Sequence, residues 1–344
     1  MNKINRRAFA SLAAAAVMLP ASARPMKRTL IKPPRLRFGD TIGLIAPGGH
    51  TNDEAIARAV EKIEQLGFRV RQSANLRAVH GNYGGSVQQR LDDLHAMFRD
   101  RDIKAIWCIR GGSGCISLLA RLDYGLIRAH PKILLGYSDI TALHLAIYRH
   151  AGLVTFHGPV ASSSHADYTT DHLLALLMDP QPVSTIAMAL ENRVRAQDEP
   201  HYAIRTATHG TASGRLLGGN LSLVSALTGT PYGADFRKAI LFLEEVNEEP
   251  YRIDRWMTQL DLAVGLRHAA AVMIGVCENC GPKDDELSLT LDETLDQHLK
   301  PLAIPAVSGY SFGHIRNQFT LPMGIKARLD THSETLTLLE AAVL

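Results

Sequence analysis

Between Asp40 and Pro159 the chain alternates short apolar runs with amphipathic ones, and this alternation restricts the available folds more than any other feature. Residues 41–47, 68–72, 105–110, 133–136 and 154–157 read as strands, and residues 52–66, 87–98, 116–122 and 140–150 as helices. Apolar strands joined through helices predict an α/β fold, a Rossmann-like doubly wound domain whose parallel sheet is covered on both faces. In such sheets ligands bind beyond the carboxyl ends of the strands. Three of the predicted strands end there in site-like turns: Pro47-Gly48-Gly49, Gly111-Gly112-Ser113-Gly114 and Gly136-Tyr137-Ser138.

The third turn carries the most chemistry. In Lys132-Ile-Leu-Leu-Gly136-Tyr-Ser138-Asp139-Ile140 a buried-strand run passes through a glycine to a serine that opens an amphipathic helix. A serine placed there stands clear of the backbone, beside the free amides of the first helical turn, where an oxyanion would form. Taken alone the segment fits helix capping better, because Ile140 occupies the place of the second glycine in Gly-x-Ser-x-Gly. The turn after Arg110 lacks the dinucleotide fingerprint, since Ser117 stands where its last glycine belongs, and no Walker lysine follows. An exposed Gly112 amide beside Ser138 suits an oxyanion instead; a tight turn needing positive φ accounts for the glycines as well.

Past residue 165 the pattern changes. Residues 166–200 are polar and proline-punctuated and read as a linker region between a domain at 38–165 and a second one at 201–344. The second is expected to be smaller and β-rich, with strands at 183–188, 206–210, 213–217, 239–244, 271–277, 305–308 and 335–339 and helices at 220–227, 252–263 and 289–299. Its run Ile240-Leu-Phe-Leu-Glu244-Glu245 ends in carboxylates, so one of them is expected to face inward from a strand end. Downstream, Pro305-Ala-Val-Ser-Gly-Tyr-Ser-Phe-Gly313-His314 is a strand followed by a glycine-punctuated loop bearing a histidine. The order Ser, Glu, His is compatible with a triad, although the 15 histidines offer many other candidates.

The extreme N-terminus differs in kind. Arg6-Arg7 with Phe9, the apolar Ala10-to-Leu19 run and Ala21-Ser-Ala23 form the three-part layout of a signal peptide of twin-arginine type at 1–23, which implies export to the periplasm. No other segment nears the ~20 apolar residues of a membrane helix, so no stable membrane span is expected after signal removal. The net charge of +3, without an aromatic-interleaved basic run, disfavours nucleic acid as a partner. Cys277-Glu-Asn-Cys280 has metal-ligand spacing but no second ligand pair, so it is read as two small strand-end residues; neither a metal nor another cofactor is expected, and a disulfide is left open.

Together these motifs resemble the muramoyltetrapeptide LD-carboxypeptidases, serine peptidases of bacterial cell-wall recycling. The resemblance runs through Ile45-Ala-Pro47, Arg110-Gly-Gly-x-Gly114, Gly136-Tyr-Ser138-Asp139-Ile-Thr141, Phe156-x-Gly158-Pro159, Gly218-Gly-Asn220-Leu, Leu243-Glu244-Glu-Val-Asn247-Glu-x-Pro250-Tyr-Arg252 and Phe312-Gly-His314. It implies Ser138 as nucleophile, His314 as general base and Glu244 as its orienter, with the amides of Gly112 and Asp139 as oxyanion hole. A muropeptide substrate and a homodimer are implied as well, and Arg110, Ser113 and Arg252 are the candidate substrate-binding residues. The chain departs from the family at Ser113, where members commonly carry Tyr, and at Ile116-Ser117. Two other readings follow from the resemblance: a hydrolase of microcin-type peptidyl adenylates, and a catalytically silent muropeptide-binding protein.

Overall fold

The computed structural model describes residues 29–164, 166–283 and 287–344; the expected signal segment lies outside them. The first sheet holds β1 (Thr41–Ile45), β2 (Arg69–Gln72), β3 (Ile103–Cys108), β4 (Ile133–Gly136) and β5 (Phe156–His157). Around it lie α1 (Asp53–Gln65), α2 (Val87–Arg99), the short α3 (Tyr124–Ala129) and α4 (Thr141–Ala151). The capping arithmetic explains two helix starts. Asn52 accepts from the Ala55 amide at the head of α1, and Ser86 with Gln89 forms a capping box on α2.

The chain continues through α5 (Asp167–Met178), β6 (Ser184–Ile186) and α6 (Leu190–Arg195) to β7 (Arg205–Thr208), β8 (Thr211–Asn220), α7 (Leu221–Leu227) and β9 (Ala239–Glu244). Then follow α8 (Pro250–Val264), β10 (Ala271–Gly275), α9 (Leu291–Leu299), β11 (Ala306–Tyr310), β12 (Leu321–Pro322), β13 (Lys326–Asp330) and β14 (Thr335–Leu338).

The first sheet runs β12-β5-β4-β3-β1-β2. Its strands β1 to β5 are parallel, in the doubly wound order 2-1-3-4-5, so the chain reverses direction across the sheet between β1 and β3. The expected parallel sheet has one addition: β12 arrives from the C-terminal half and pairs antiparallel with β5. A two-residue strand is too short to show a period, which is why it is invisible in sequence.

The second sheet runs β6-β14-β13-β8-β9-β10-β11-β7. Its middle, β8 to β11, is parallel, with α7, α8 and α9 in the crossovers, and antiparallel strands complete both sides. It is therefore a mixed α/β layer, with more strands than the first sheet. Residues 166–200, expected as a linker, carry α5, β6 and α6, and β6 pairs with β14. The prolines there mark ends of elements, and the apolar stripe Thr169, Leu173, Leu177 buries α5. The segment expected as a helix at 116–122 is a 3₁₀ run, Cys115–Arg121. One continuous apolar core spans both sheets, and α4 packs on both β8 and α7.

Candidate active site

Ser138 sits at the carboxyl end of β4, half-buried, with φ of 62°. A serine in the left-handed region is strained, and such strain persists only where the surroundings enforce it. Here the 3₁₀ turn Ser138–Ile140 feeds directly into α4, and the packing around Gly111 leaves no slack. A Cβ on Gly111 would lie 2.8 Å from Ser138 Cβ, 3.0 Å from its Oγ and 3.3 Å from the Asp139 nitrogen. The Asp139 N–H lies in the first turn, where no intrahelical acceptor exists for it.

The three glycine turns converge, as the sheet geometry requires. Gly49 N–H donates to Gly111 O at 2.8 Å, and Gly48 packs against both Gly111 and the Asp139 carboxylate. Gly112, exposed at φ 99°, packs against Gly49. The buried Asp139 carboxylate accepts from the Cys115 N–H at 2.9 Å and so ties the turn after β3 to the turn after β4. Burial raises its pKa against the pull of that hydrogen bond.

Arg90 is a site residue that the sequence does not single out. It is buried on the stripe Arg90, Leu94, Met97 of α2, and one guanidinium nitrogen donates to Pro47 O at 2.9 Å and Gly114 O at 3.0 Å while another reaches Ser117 Oγ at 3.3 Å. An arginine inside an apolar stripe was the available signal. Arg90→Met is expected to lower unfolding free energy by roughly 2–4 kcal/mol, because two carbonyls lose a charged donor. A denaturant titration at constant m-value checks it.

From the second sheet, β9 delivers Glu244, fully buried, and the loop after β11 delivers His314. His314 Nδ1 donates to Glu244 Oε2 at 2.7 Å. Gly313, at φ 117°, permits this approach: a Cβ there would meet Val276 O at 2.8 Å and Glu244 Cβ at 3.2 Å. Burial disfavours charge on the imidazole, yet Glu244 outweighs it, and the His314 pKa is raised. Burial likewise opposes the Glu244 charge, and His314 overrides it, holding the carboxyl below its ordinary value. The His314 ring lies edge-on to Tyr137, centroids 4.5 Å apart, next to Ser138 in the chain. Among the described residues no direct hydrogen bond joins the serine hydroxyl to the ring, a contact that often tightens only with substrate bound.

Glu245, the adjacent carboxylate, turns elsewhere. It accepts from Asn220 Nδ2 at 2.7 Å, Val246 N–H at 3.0 Å and Ser222 N–H at 3.0 Å, capping α7. Burial and the neighbouring Glu244 push its pKa up to about 7.

The remaining candidates separate. Arg110 is exposed, donates to His50 O at 3.0 Å and lines a cavity of about 150 Å³ with His50, Thr51, Asn52, Ala55 and Ser162, one residue from Gly111. Ser113 Oγ accepts from Asn82 Nδ2 at 2.9 Å. Arg252 lies on the first turn of α8, bound to Tyr251 Oη at 3.1 Å and paired with Glu248 at 3.4 Å, and no contact joins it to Ser138, Glu244 or His314 among the described residues. The four cysteines are free and buried. One group, Glu199, His201 and Glu278, gathers ligand atoms within 4.8 Å. Arg195 already donates to both carboxylates, at 2.8 and 3.2 Å, and Tyr202 Oη donates to Glu278 at 2.6 Å.

A serine on a strained strand-to-helix turn of one α/β layer, next in the chain to the Tyr137 ring against which the carboxylate-held His314 of the other layer packs, is an arrangement that suits a serine-type hydrolase. Residues 42–158 match the LD-carboxypeptidase N-terminal domain and residues 213–329 the LD-carboxypeptidase C-terminal domain. The chain belongs to the LD-carboxypeptidase family. It is 38% identical over 312 residues to the probable murein peptide carboxypeptidase of Bacillus subtilis strain 168, covering 91% of this chain and 95% of that relative. Among solved structures, the muramoyltetrapeptide carboxypeptidase of Oxalobacter formigenes superposes with a TM-score of 0.74 at 27% identity, covering 87% of this chain and 97% of that one. The apo microcin C7 self-immunity protein superposes with 0.83 at 25% identity, covering 91% and 100%.

Proposed function

We propose that this protein is a serine-type LD-carboxypeptidase that removes the terminal D-Ala from the muropeptide tetrapeptide L-Ala-D-Glu-meso-diaminopimelate-D-Ala. The observation that carries the reading is the 2.7 Å His314–Glu244 hydrogen bond beside the turn of Ser138. Ser138 Oγ attacks the carbonyl that joins the L-centre of diaminopimelate to D-Ala, and His314 Nε2 takes its proton. The N–H groups of Gly112 and Asp139 receive the oxyanion. His314 then returns the proton to the leaving D-Ala amine, and water attacks the acyl-enzyme by the same route in reverse.

Arg110 is the better placed cation for a substrate carboxylate, since it borders the Gly111 turn, whereas Arg252 is occupied by Tyr251 and Glu248. The Arg6-Arg7 leader supports export to the periplasm, and a homodimer follows from the family likeness. Among the described residues no helix is long and apolar enough to cross a membrane.

The raised His314 pKa sets the pH dependence. The base must be neutral, so kcat/KM is expected to fall as pH drops through a value above about 6.5, the ordinary histidine value. An acid limb below that value in a kcat/KM profile would contradict the assignment of His314.

The likeness to the microcin C7 self-immunity protein favours a second reading, hydrolysis of peptidyl adenylates. Incubation with the tetrapeptide and, separately, with an acyl-sulfamoyl adenosine, followed by mass spectrometry, decides between them. Loss of one D-Ala supports the carboxypeptidase; cleavage of the adenosine compound alone supports the second reading. Turnover of neither, with Ser138 unlabelled by a fluorophosphonate, supports a silent binding protein.

A further inference from the structure

His157 lies on β5, 1% exposed, and neither ring nitrogen has a hydrogen-bond partner within the protein. Glu244 Oε1, the carboxylate oxygen that His314 leaves free, is likewise buried without a hydrogen bond, the Asn220 amide that approaches the carboxylate being spent on Glu245. The two groups come from different sheets and lie close enough for the Glu244 charge to act on the His157 ring. The His157 ring packs edge-on against Phe242, centroids 5.4 Å apart, and Phe242 precedes Glu244 by two residues on β9, so both side chains leave the same face of that strand. On its own sheet His157 is the register partner of Gly136, two residues before Ser138, and its ring lies 6.2 Å from that of Tyr137.

We infer that His157 is a positioning residue: a neutral imidazole that donates, through one bridging water, to Oε1 of Glu244. A buried histidine and a buried carboxylate oxygen each need a partner, and a single water with polar groups on both sides supplies it. This contact links the sheet that carries the serine to the pair that serves it. It also holds Glu244 ionised. Burial keeps the His157 pKa down at about 4, so the ring stays neutral across the working range. The other groups facing this cluster are His144 on α4, also neutral with its pKa lowered to about 3 by burial, Tyr137, His314, Glu245 and the Cys277 thiol.

The inference rests on the reading of Glu244 and His314 as orienter and base. Losing the donor destabilises the state in which Glu244 is charged and His314 is neutral, the state that acts as base. His157→Phe is therefore expected to move the acid limb of kcat upward by about one pH unit, with KM unchanged. The rate then falls about tenfold below the limb and hardly at all above pH 9. His157→Gln, which keeps a neutral donor, restores the limb. A loss in His157→Phe that is equal at every pH overturns the inference, because packing alone would act that way. The carboxypeptidase reading fails separately, by a wild-type profile with no acid limb. If His157→Phe does not fold, ¹⁵N-histidine spectra of the full chain decide: the His157 ring resonances must move in Glu244→Gln, and unmoved resonances overturn the inference.

Discussion

Ser138→Ala is expected to lower kcat by a factor on the order of 10⁴–10⁶ while leaving KM and the melting temperature close to wild type. The hydroxyl makes no hydrogen bond among the described residues, and Ser138 is half-buried, so its removal leaves no orphaned partner and no large cavity. Alanine also tolerates φ of 62° about as poorly as serine does, so the backbone cost is shared by both proteins. Release of D-Ala, followed against wild type, measures the effect. Turnover within tenfold of wild type would remove Ser138 from the chemistry.

Glu244→Gln is expected to cost on the order of 10⁴ in kcat with little loss of stability. The carboxylate accepts from His314 Nδ1, which forces the tautomer whose lone pair lies on Nε2. A glutamine of the same shape can turn its NH₂ to Nδ1 instead. The proton then moves to Nε2, and the base meets the hydroxyl with a donor. Among the described residues His314 Nδ1 is the one hydrogen bond drawn to this carboxylate, with the Asn220 amide beside it spent on Glu245, so the amide leaves few hydrogen bonds broken. Kinetics and a thermal melt on the same preparation separate the two effects. Near-normal kcat in a folded Glu244→Gln protein would show that Glu244 does not orient the base.

Local pattern explains why the first sheet was legible and the second less so. β1, β3 and β4 are apolar runs bounded by glycine turns, and the helices between them have apolar stripes, so type and order follow from period alone. β13, with its alternating Lys326-Ala-Arg-Leu-Asp330, is a strand with one face to solvent, and its period spans only five residues. β6 and β12 are three and two residues long, too short for any period. Within the site, Ser138, Glu244 and His314 each stand at a strand end or in the loop beyond it, which sequence reveals. Arg90 and His157 look like ordinary helix and strand residues until their neighbours are known. Arg252 illustrates the converse, a motif residue whose place in the fold ties it to Tyr251 and Glu248.

By itself the sequence determined that a serine would stand on a strand-to-helix turn, because the strand, the glycine and the helix start that make such a turn lie within a few positions of it. Only the tertiary structure decided that Glu244 and His314, 70 residues apart, would share a 2.7 Å hydrogen bond beside that serine. It alone also decided that Arg90 would tie down the glycine turns and that His157 would lie between the sheets. The reason is physical. Periodicity records which face of an element is buried, whereas the meeting of two faces depends on how whole sheets pack, and no local pattern encodes that packing.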